Sequence, residues 1–248
     1  MSDVAVMSRR SLRISLRNVD GLITALMLPV MLMLLFVYLF GGAIQTGTRY
    51  VTYVVPGVIL LCAAYGASMT AVAVASDMAE GVIDRFRSMD VAGAAILAGH
   101  VTASSARNLA SAGLVLAVAY LIGFRPSAGP VQWVAAGGVL LAFIVALSWL
   151  SAAVGLLARS AEAASGFTFF VLFLPYPSSA FVPIDTMPSW LHGFAEHQPA
   201  TPVIETLRGL LLDQPVGDSV GPALAWCAGI AAASMLAAGW LFRSRTGH

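Results

Sequence analysis

The sequence predicts an all-α membrane protein with six transmembrane helices, and three observations support that fold class. Of the 248 residues, 59% are hydrophobic and only 10% are charged, whereas ordinary soluble domains carry roughly 25% charged residues. Six apolar runs each approach the roughly 20 residues that cross a bilayer core. The arginines gather in the connecting segments of one side, as in other multi-pass proteins. We therefore expect residues 1–248 to form a single transmembrane domain.

Residues 1–21 are predicted to form an amphipathic helix at the membrane interface. Arginines recur at i, i+4 and i+8 on one face, at Arg9, Arg13 and Arg17. Leucines fall on another face of the same helix. A short helix with a cationic face and an apolar face, leading into a membrane span, suits the boundary between lipid and water. The alternative is a solvated N-terminal arm.

The six predicted spans follow in order along the chain. Their approximate bounds are 22–44, 52–76, 103–124, 131–158, 165–182 and 220–242. The start of the third places Arg107 in the first turns of its helix, where a long side chain can reach water. The fifth contains Pro175 and Pro177. Because proline lacks the N–H that a helix interior needs, we expect this helix to kink or break there.

Two of the spans carry small residues at every fourth position, a pattern that allows helices to approach closely in lipid. The stripes are Ala63, Ala67, Ala71 and Ala75 in the second span, and Ala225, Gly229, Ala233 and Ala237 in the sixth. Alanine-rich sequences produce such stripes by chance. We expect each to mark packing within the chain at least as often as dimerisation.

Arginine placement predicts the orientation of the six spans. An even number of spans puts both termini on the same side of the membrane. All thirteen basic residues are arginine, and only Arg49, Arg125 and Arg208 fall on the side opposite the termini. The positive-inside rule therefore places both termini and the segment 77–100 in the cytoplasm. This segment is the most charged internal stretch, and we expect it to carry a short helix that contacts a soluble partner.

Several functional classes are disfavoured by what the spans lack. They hold almost no charge, which argues against ion-coupled transport and charged channel filters. The chain has no lysine, so the P-loop lysine that holds nucleotide phosphates is missing. His192 and His197 fit loop histidines, and Cys62 and Cys227 fit buried apolar residues. We expect no catalytic residue, no metal or cofactor site and, at a net charge of +1, no nucleic-acid partner.

The segment 183–219, between the fifth and sixth spans, is unusually apolar for a loop in water. Apolar residues recur at helical spacing, and Glu205 and Arg208 can pair at i, i+3. Prolines divide the segment into two parts. We predict two short helices that lie in, or dip into, the outer leaflet. The alternative is an exposed loop with a surface helix.

Four stretches, in this order, resemble one known family. They are RNVDGLITALMLPVMLMLLFVYLFGGAI, GVIDRFRSMDV, SGFTFFVLFLPYPSSAFVPIDTMPSWL and HQPATPVIETLRGLLL. With the six-span layout they resemble the membrane subunit of type-2 ABC exporters, in the daunorubicin-resistance permease group. The resemblance covers essentially the whole chain. It implies a permease in a bacterial cell membrane, surrounded by lipid, that exports a hydrophobic or amphipathic solute such as an antibiotic and is not itself an enzyme.

The resemblance also implies partners for the permease. Such a subunit pairs with a second permease, identical or homologous, and with two cytoplasmic ATPase subunits that bind the ATP. The segment 77–100 would carry the coupling helix seated on the ATPase. The contacts carried over to this sequence are Gly81, Asp84, Arg85, Phe86, Arg87 and Met89. One departure is Asp90, where the family commonly has proline.

A translocation path at the axis between the two permeases is implied as well. In this family the second and fifth helices line it, which nominates Tyr65, Met69, Phe167 and Phe170. Residues 183–212 would form the outer gate. Two alternatives stay open: a lipid or glycan exporter of the same architecture, and a membrane scaffold that moves nothing.

Overall fold

The computed structural model of the chain describes residues 19–81 and 93–246, with side chains over 27–81 and 95–242. Within these ranges all regular secondary structure is helical. Most of the predicted interfacial helix 1–21 lies outside the described residues. So does most of the segment between the second and third predicted spans.

Eight α-helices follow one another in the described part. They are α1 (Val19–Leu35), α2 (Tyr50–Ala79), α3 (Gly93–Leu121), α4 (Pro130–Leu157), α5 (Ala161–Phe173), α6 (Ser189–His197), α7 (Ala200–Leu211) and α8 (Val220–Thr246). A π-helical turn, Phe36–Phe40, continues α1. Short 3₁₀ turns precede α6 and α8.

Three stretches of helix in the described part are long and apolar enough to cross a membrane, namely Tyr50–Ala79, Pro130–Leu157 and Gly217–Phe242. They correspond to the second, fourth and sixth predicted spans. Two further apolar helices are shorter, Met27–Phe40 and Ala161–Phe173. The count of six spans stays a prediction.

The third helix differs from its predicted span. α3 begins at Gly93 instead of near Ala103, so Arg107 lies about four turns into the helix and not in its first turns. The N-terminal part of α3 is poor in large apolar residues, which is why hydropathy alone placed its start too late. Contact with the rest of the bundle stabilises this part, since Leu97 belongs to the same buried cluster as Val74 of α2.

The fifth helix ends where its prolines predicted. α5 stops at Phe173, and residues 174–183 continue as a turn that contains Pro175 and Pro177. We call residues 174–183 the proline turn. Its centre is buried, with Ser178, Ala180 and Phe181 at most 3% exposed. The backbone here forms no regular helix, so side chains from other elements must satisfy its carbonyl groups.

The long helix α2 lies at the centre of the bundle. It packs against α1, α3, α4, α5 and α7, and most of its residues are buried. Two glycines let neighbouring backbones approach α2 closely, because a side chain at either position would clash. A Cβ on Gly57 would lie 2.7 Å from Ala180 of the proline turn. A Cβ on Gly155 of α4 would lie 2.6 Å from the Ala71 carbonyl oxygen. The helix α8 lies at the edge of the bundle and packs mainly on α4.

The two small-residue stripes have different environments. The stripe of α2, at Ala63, Ala67, Ala71 and Ala75, is buried within the chain. The stripe of α8, at Ala225, Gly229, Ala233 and Ala237, stays exposed. The buried face of α8 instead includes Ala223, Cys227, Ser234 and Ala238. The four-residue spacing thus locates a packed face in one helix and not in the other.

Candidate functional site

An open stripe interrupts the covered surface of α2. Met69 is 37% exposed, Tyr65 is half-buried and Ala73 is exposed, whereas residues 66–68, 70 and 71 between them are buried. Positions 65, 69 and 73 are four residues apart and so lie on one face of the helix. Tyr65 is in the middle of Tyr50–Ala79. The open stripe therefore lies halfway along the central helix of the bundle.

The helix α5 lies against α2 beside this stripe. The Ser68 hydroxyl of α2 donates to Thr168 Oγ1 of α5 at 3.2 Å. Phe170 is 79% exposed, whereas Phe167 is partly buried and packs against the core. The structure thus places the four predicted path residues on two helices that contact each other. Tyr65, Met69 and Phe170 reach open space, and Phe167 contributes mainly to packing.

A buried polar layer crosses the bundle at the same depth. Ser104 of α3 accepts hydrogen bonds from Thr70 of α2 at 2.9 Å and from Asn108 Nδ2 at 3.2 Å. Its hydroxyl also lies 3.0 Å from the Ser148 hydroxyl of α4. Because unpaired buried polar groups are costly in an apolar bundle, these bonds fix the relative positions of three helices. Sequence reasoning missed this layer; its signal was polar residues at helical spacing in α3, Ser104 and Asn108.

At the opposite end from the proline turn, α2 stops at the predicted coupling segment. Gly81 follows the helix at φ +67°, a left-handed conformation that favours glycine. Just before it, the Ser76 hydroxyl donates to Glu80 at 3.0 Å, and Asp77 contacts His100 of α3 at 3.1 Å. The other predicted coupling contacts, which are Asp84, Arg85, Phe86, Arg87 and Met89, lie outside the described residues, as does Asp90.

At the other end of α2, a buried arginine joins three elements. The Arg208 side chain, on α7, is 9% exposed, and its Nη1 donates to Glu205 at 2.6 Å. This confirms the predicted i, i+3 pair. Its Nη2 donates to the Ser179 carbonyl at 2.6 Å and to the Tyr53 carbonyl at 3.2 Å. The guanidinium also lies 3.9 Å from the centre of the Tyr53 ring, a cation–π arrangement.

Two further side chains hold the proline turn in place. Tyr50 of α2 donates through its hydroxyl to the Phe181 carbonyl at 2.8 Å, and Gln198 donates to the Pro177 carbonyl at 3.1 Å. With Arg208, these bonds satisfy carbonyl groups that the irregular backbone leaves free. A polar cavity of about 360 Å³ lies beside this junction, and its lining includes Asp185 and Gln214.

Three arginines, Arg49, Arg125 and Arg208, were predicted to lie on the side of the membrane opposite the termini. In the structure all three lie at the same end of the bundle. A Cβ on Gly123 would lie 3.0 Å from Arg49, Arg125 follows the end of α3, and Arg208 contacts the first turn of α2. The segment that begins at Glu80 lies at the opposite end of α2. Within residues 27–81 and 95–242, no three His, Cys, Asp or Glu side chains could together hold a metal ion.

Comparison with known proteins identifies the family. Residues 2–212 match the family described as ABC-2 type transporter. The chain is 31% identical over 229 residues to a daunorubicin resistance ABC transporter permease protein of Streptomyces coeruleorubidus, covering 92% of this chain and 81% of that protein. It is 24% identical over 222 residues to a probable doxorubicin resistance ABC transporter permease protein of Mycobacterium tuberculosis, covering 86% and 78% respectively. The resemblance to drug-resistance permeases is confirmed, and the chain belongs to the ABC-2 type transporter family as a multi-pass membrane permease.

Proposed function

We propose that this chain is the permease subunit of an ATP-driven exporter that moves a hydrophobic or amphipathic solute, such as an antibiotic, out of a bacterial cell. The open stripe of α2 carries the proposal. Tyr65 and Met69 present apolar surface at mid-depth on a helix most of whose residues are buried. A solute with apolar surface gains favourable contacts along such a stripe. The names of the related permeases support a drug as the solute.

The complete path requires a second permease, identical or homologous, facing the first. Large apolar side chains of α1, of the π-helical turn that continues it and of α5 are exposed in the single chain, at Met27, Met31, Tyr38, Phe169, Phe170 and Phe173. The same two helices pack on α2, which bears the open stripe. A second copy would convert the stripe into a closed path. In this arrangement each copy has six spans with both termini in the cytoplasm.

Energy comes from two ATPase subunits that dock on the cytoplasmic side. The proposed contacts are Gly81, Asp84, Arg85, Phe86, Arg87 and Met89. Arg85 and Arg87 would pair with acidic groups of the ATPase, and Phe86 would fill an apolar slot. ATP-driven closure of the ATPases then pushes this segment, and the two permeases alternate as rigid bodies. Residues 183–212 act as the outer gate, with the proline turn seated against α2.

The test is transport in vesicles that contain the permease and its ATPase partner. Inside-out vesicles should accumulate daunorubicin, followed by its fluorescence, only when ATP is present. Replacing the P-loop lysine of the ATPase should stop this accumulation. Within the permease, Met69→Trp should reduce transport because it fills the open stripe. Leu236→Trp is the matched control, since Leu236 is 76% exposed on α8, away from α2.

The alternatives give different results in the same vesicles. A lipid or glycan exporter would move a fluorescent lipid or a labelled glycan in place of daunorubicin. A scaffold would move none of the three probes while still binding its partner, and that outcome would refute an exporter. Purified without the ATPase, the permease should hydrolyse no ATP.

A further inference from the structure

Asp77 and His100 join the ends of α2 and α3 at the base of the segment 80–92. His100 Nε2 lies 3.1 Å from Asp77 Oδ2, and the two side chains are 14% and 21% exposed. The contact is an ion pair when the imidazole is protonated and a hydrogen bond when it is neutral and carries its proton on Nε2. The Arg208–Glu205 ion pair lies within one helix. The Asp77–His100 contact, in contrast, joins two helices.

The position of Asp77 is electrostatically unfavourable for α2 on its own. The C-terminal end of a helix carries a partial negative charge, and carboxylates near it are destabilising. Asp77 is in the last turn of α2, and Glu80 is the first residue after the helix. Each acid has a donor nearby: the Ser76 hydroxyl for Glu80 and the His100 ring for Asp77. Asp77 thus contributes through its contact with α3 and not by stabilising its own helix end.

The Asp77–His100 contact is the first of a series along α2 and α3. Val74 and Leu97, each about one turn from Asp77 and His100 on their own helices, lie in one buried cluster. Closer to the centre of the bundle come Thr70 with Ser104 at 2.9 Å and Gly66 against Asn108. The α2 members of the series recur every third or fourth residue, so they share one face of the helix. The series ends beside Tyr65, on the open stripe. α2 and α3 are therefore joined from the base of the segment 80–92 to the middle of the bundle.

We propose that Asp77 and His100 are positioning residues for energy coupling. They clamp the base of the segment 80–92, so that a push on this segment moves α2 and α3 together and reaches the open stripe at Tyr65 and Met69. Without the clamp the segment shifts relative to α2, and the displacement does not reach the stripe. This inference rests on the proposed function, in which the segment contacts the ATPase.

The experiment uses the full permease–ATPase complex in proteoliposomes, with Met69→Cys as a reporter on the open stripe. A membrane-permeant maleimide labels the reporter with and without ATP and vanadate. The parent protein, with Met69 intact, gives the background from the buried Cys62 and Cys227. We expect ATP to change the labelling rate of the reporter. His100→Ala should reduce that change about tenfold, the factor that a lost hydrogen bond to a charged group represents. Asp77→Asn, which keeps only a neutral hydrogen bond to the ring, should reduce it less.

Two further variants separate a coupling role from a loss of folding. Thr102→Ala is the matched control, because Thr102 is exposed in the same part of α3 and its hydroxyl donates to Ala98 of its own helix. It should keep the full response to ATP. The exchange Asp77→His with His100→Asp rebuilds the pair and should restore much of the response. Co-purification of the ATPase, measured on the same preparations, should stay unchanged in all variants. The melting temperature should fall by only a few degrees and stay well above the assay temperature.

The outcomes distinguish the clamp from the proposed function. The clamp is refuted if Asp77→Asn and His100→Ala respond to ATP as Thr102→Ala does, if the exchanged pair restores nothing, or if the reporter does not respond to ATP at all. The labelling readout needs no solute. Absence of daunorubicin transport by wild-type vesicles would therefore count against the proposed solute while a normal labelling response still supported the clamp.

Discussion

Asn108 of α3 lies directly against the backbone of Gly66 in α2, so closely that a Cβ at position 66 would overlap the Asn108 Oδ1 atom. Asn108 is 1% exposed, and its amide nitrogen donates to Ser104 at 3.2 Å. The absence of a side chain at Gly66 lets the two helices approach while the amide remains between them. This contact connects the buried polar layer to the helix that carries the open stripe.

Gly66→Ala should destabilise the permease by about 1–3 kcal/mol, because the added methyl group must displace Asn108 and break its hydrogen bond to Ser104. The measurement is the thermal unfolding midpoint of the purified protein in detergent. Gly137→Ala is the control, since a Cβ there meets nothing within 4 Å. Combining Gly66→Ala with Asn108→Ala should recover part of the loss. Equal midpoints for Gly66→Ala and Gly137→Ala would contradict this account of the contact.

Arg208→Ala should destabilise the permease more than Gly66→Ala does. The guanidinium is buried, pairs with Glu205 and donates to carbonyl groups of Ser179 and Tyr53. The Glu205 carboxylate is 41% exposed, so water can solvate it. Removing the guanidinium leaves the two carbonyl groups without their donor, at about 1–3 kcal/mol each. Arg208→Lys should rescue little of this, because an ammonium cannot reproduce the planar set of donors. The measurement is again the unfolding midpoint.

Arg125→Ala provides the control for Arg208. Arg125 also lies over a tyrosine ring, 4.2 Å from the centre of Tyr120, and donates to backbone carbonyls, but it is exposed. Its removal should change stability by less than about 1 kcal/mol. Similar losses for the two substitutions would mean that burial of Arg208 in the junction of α2, α7 and the proline turn contributes little.

The contrast between α4 and α3 shows how far the sequence predicted the fold. The span predicted at 131–158 is the helix Pro130–Leu157, because a continuous apolar run carries its own signal. α3 was predicted to begin near Ala103 and begins at Gly93. Its first turns contain mostly small residues, with Ile96 and Leu97 among them. The partners of these turns, such as Asp77 for His100, are distant in sequence. Hydropathy measures transfer into lipid and contains no information about such contacts.

The candidate site, too, was predictable only where its contacts are local in sequence. The pair of Glu205 with Arg208 was predictable, since residues at i and i+3 face each other on a helix. The bonds from Arg208 to Tyr53 and Ser179 were not, because they depend on where the proline turn folds back against α2. Tyr65, Met69 and Phe170 were nominated by family resemblance and are at least partly exposed. Phe167 packs against the core. The spacing of residues within α5 could not show that Phe167 is packed while Phe170 is exposed.

Cysteine labelling tests the orientation. Thr48 and Gln214 lie at the end of the bundle that holds Arg208, and Glu80 follows α2 at the other end; all three are exposed. In intact cells, Thr48→Cys and Gln214→Cys should react with a membrane-impermeant maleimide. Glu80→Cys should react only after the membrane is permeabilised, because the arginine distribution places its segment in the cytoplasm. The reverse pattern would invert the orientation and remove the segment 80–92 as a docking site for a cytoplasmic ATPase.

Arg87→Glu tests the docking contact with the ATPase. The substitution replaces a cation proposed to pair with an acidic group of the partner, so like charges would then face each other. We expect co-purification of the ATPase and ATP-dependent transport each to fall about tenfold or more, since truncating or reversing one member of a hydrogen-bonded charge pair costs about 2–5 kcal/mol at an interface. Arg87→Lys keeps the charge and should retain most of the co-purification and of the transport.

Arg159→Glu controls for a general loss of positive charge on that surface, because it reverses an exposed arginine just after α4, at the same end of the bundle. Transport and co-purification that are as strong in Arg87→Glu as in Arg159→Glu would place the ATPase contact elsewhere.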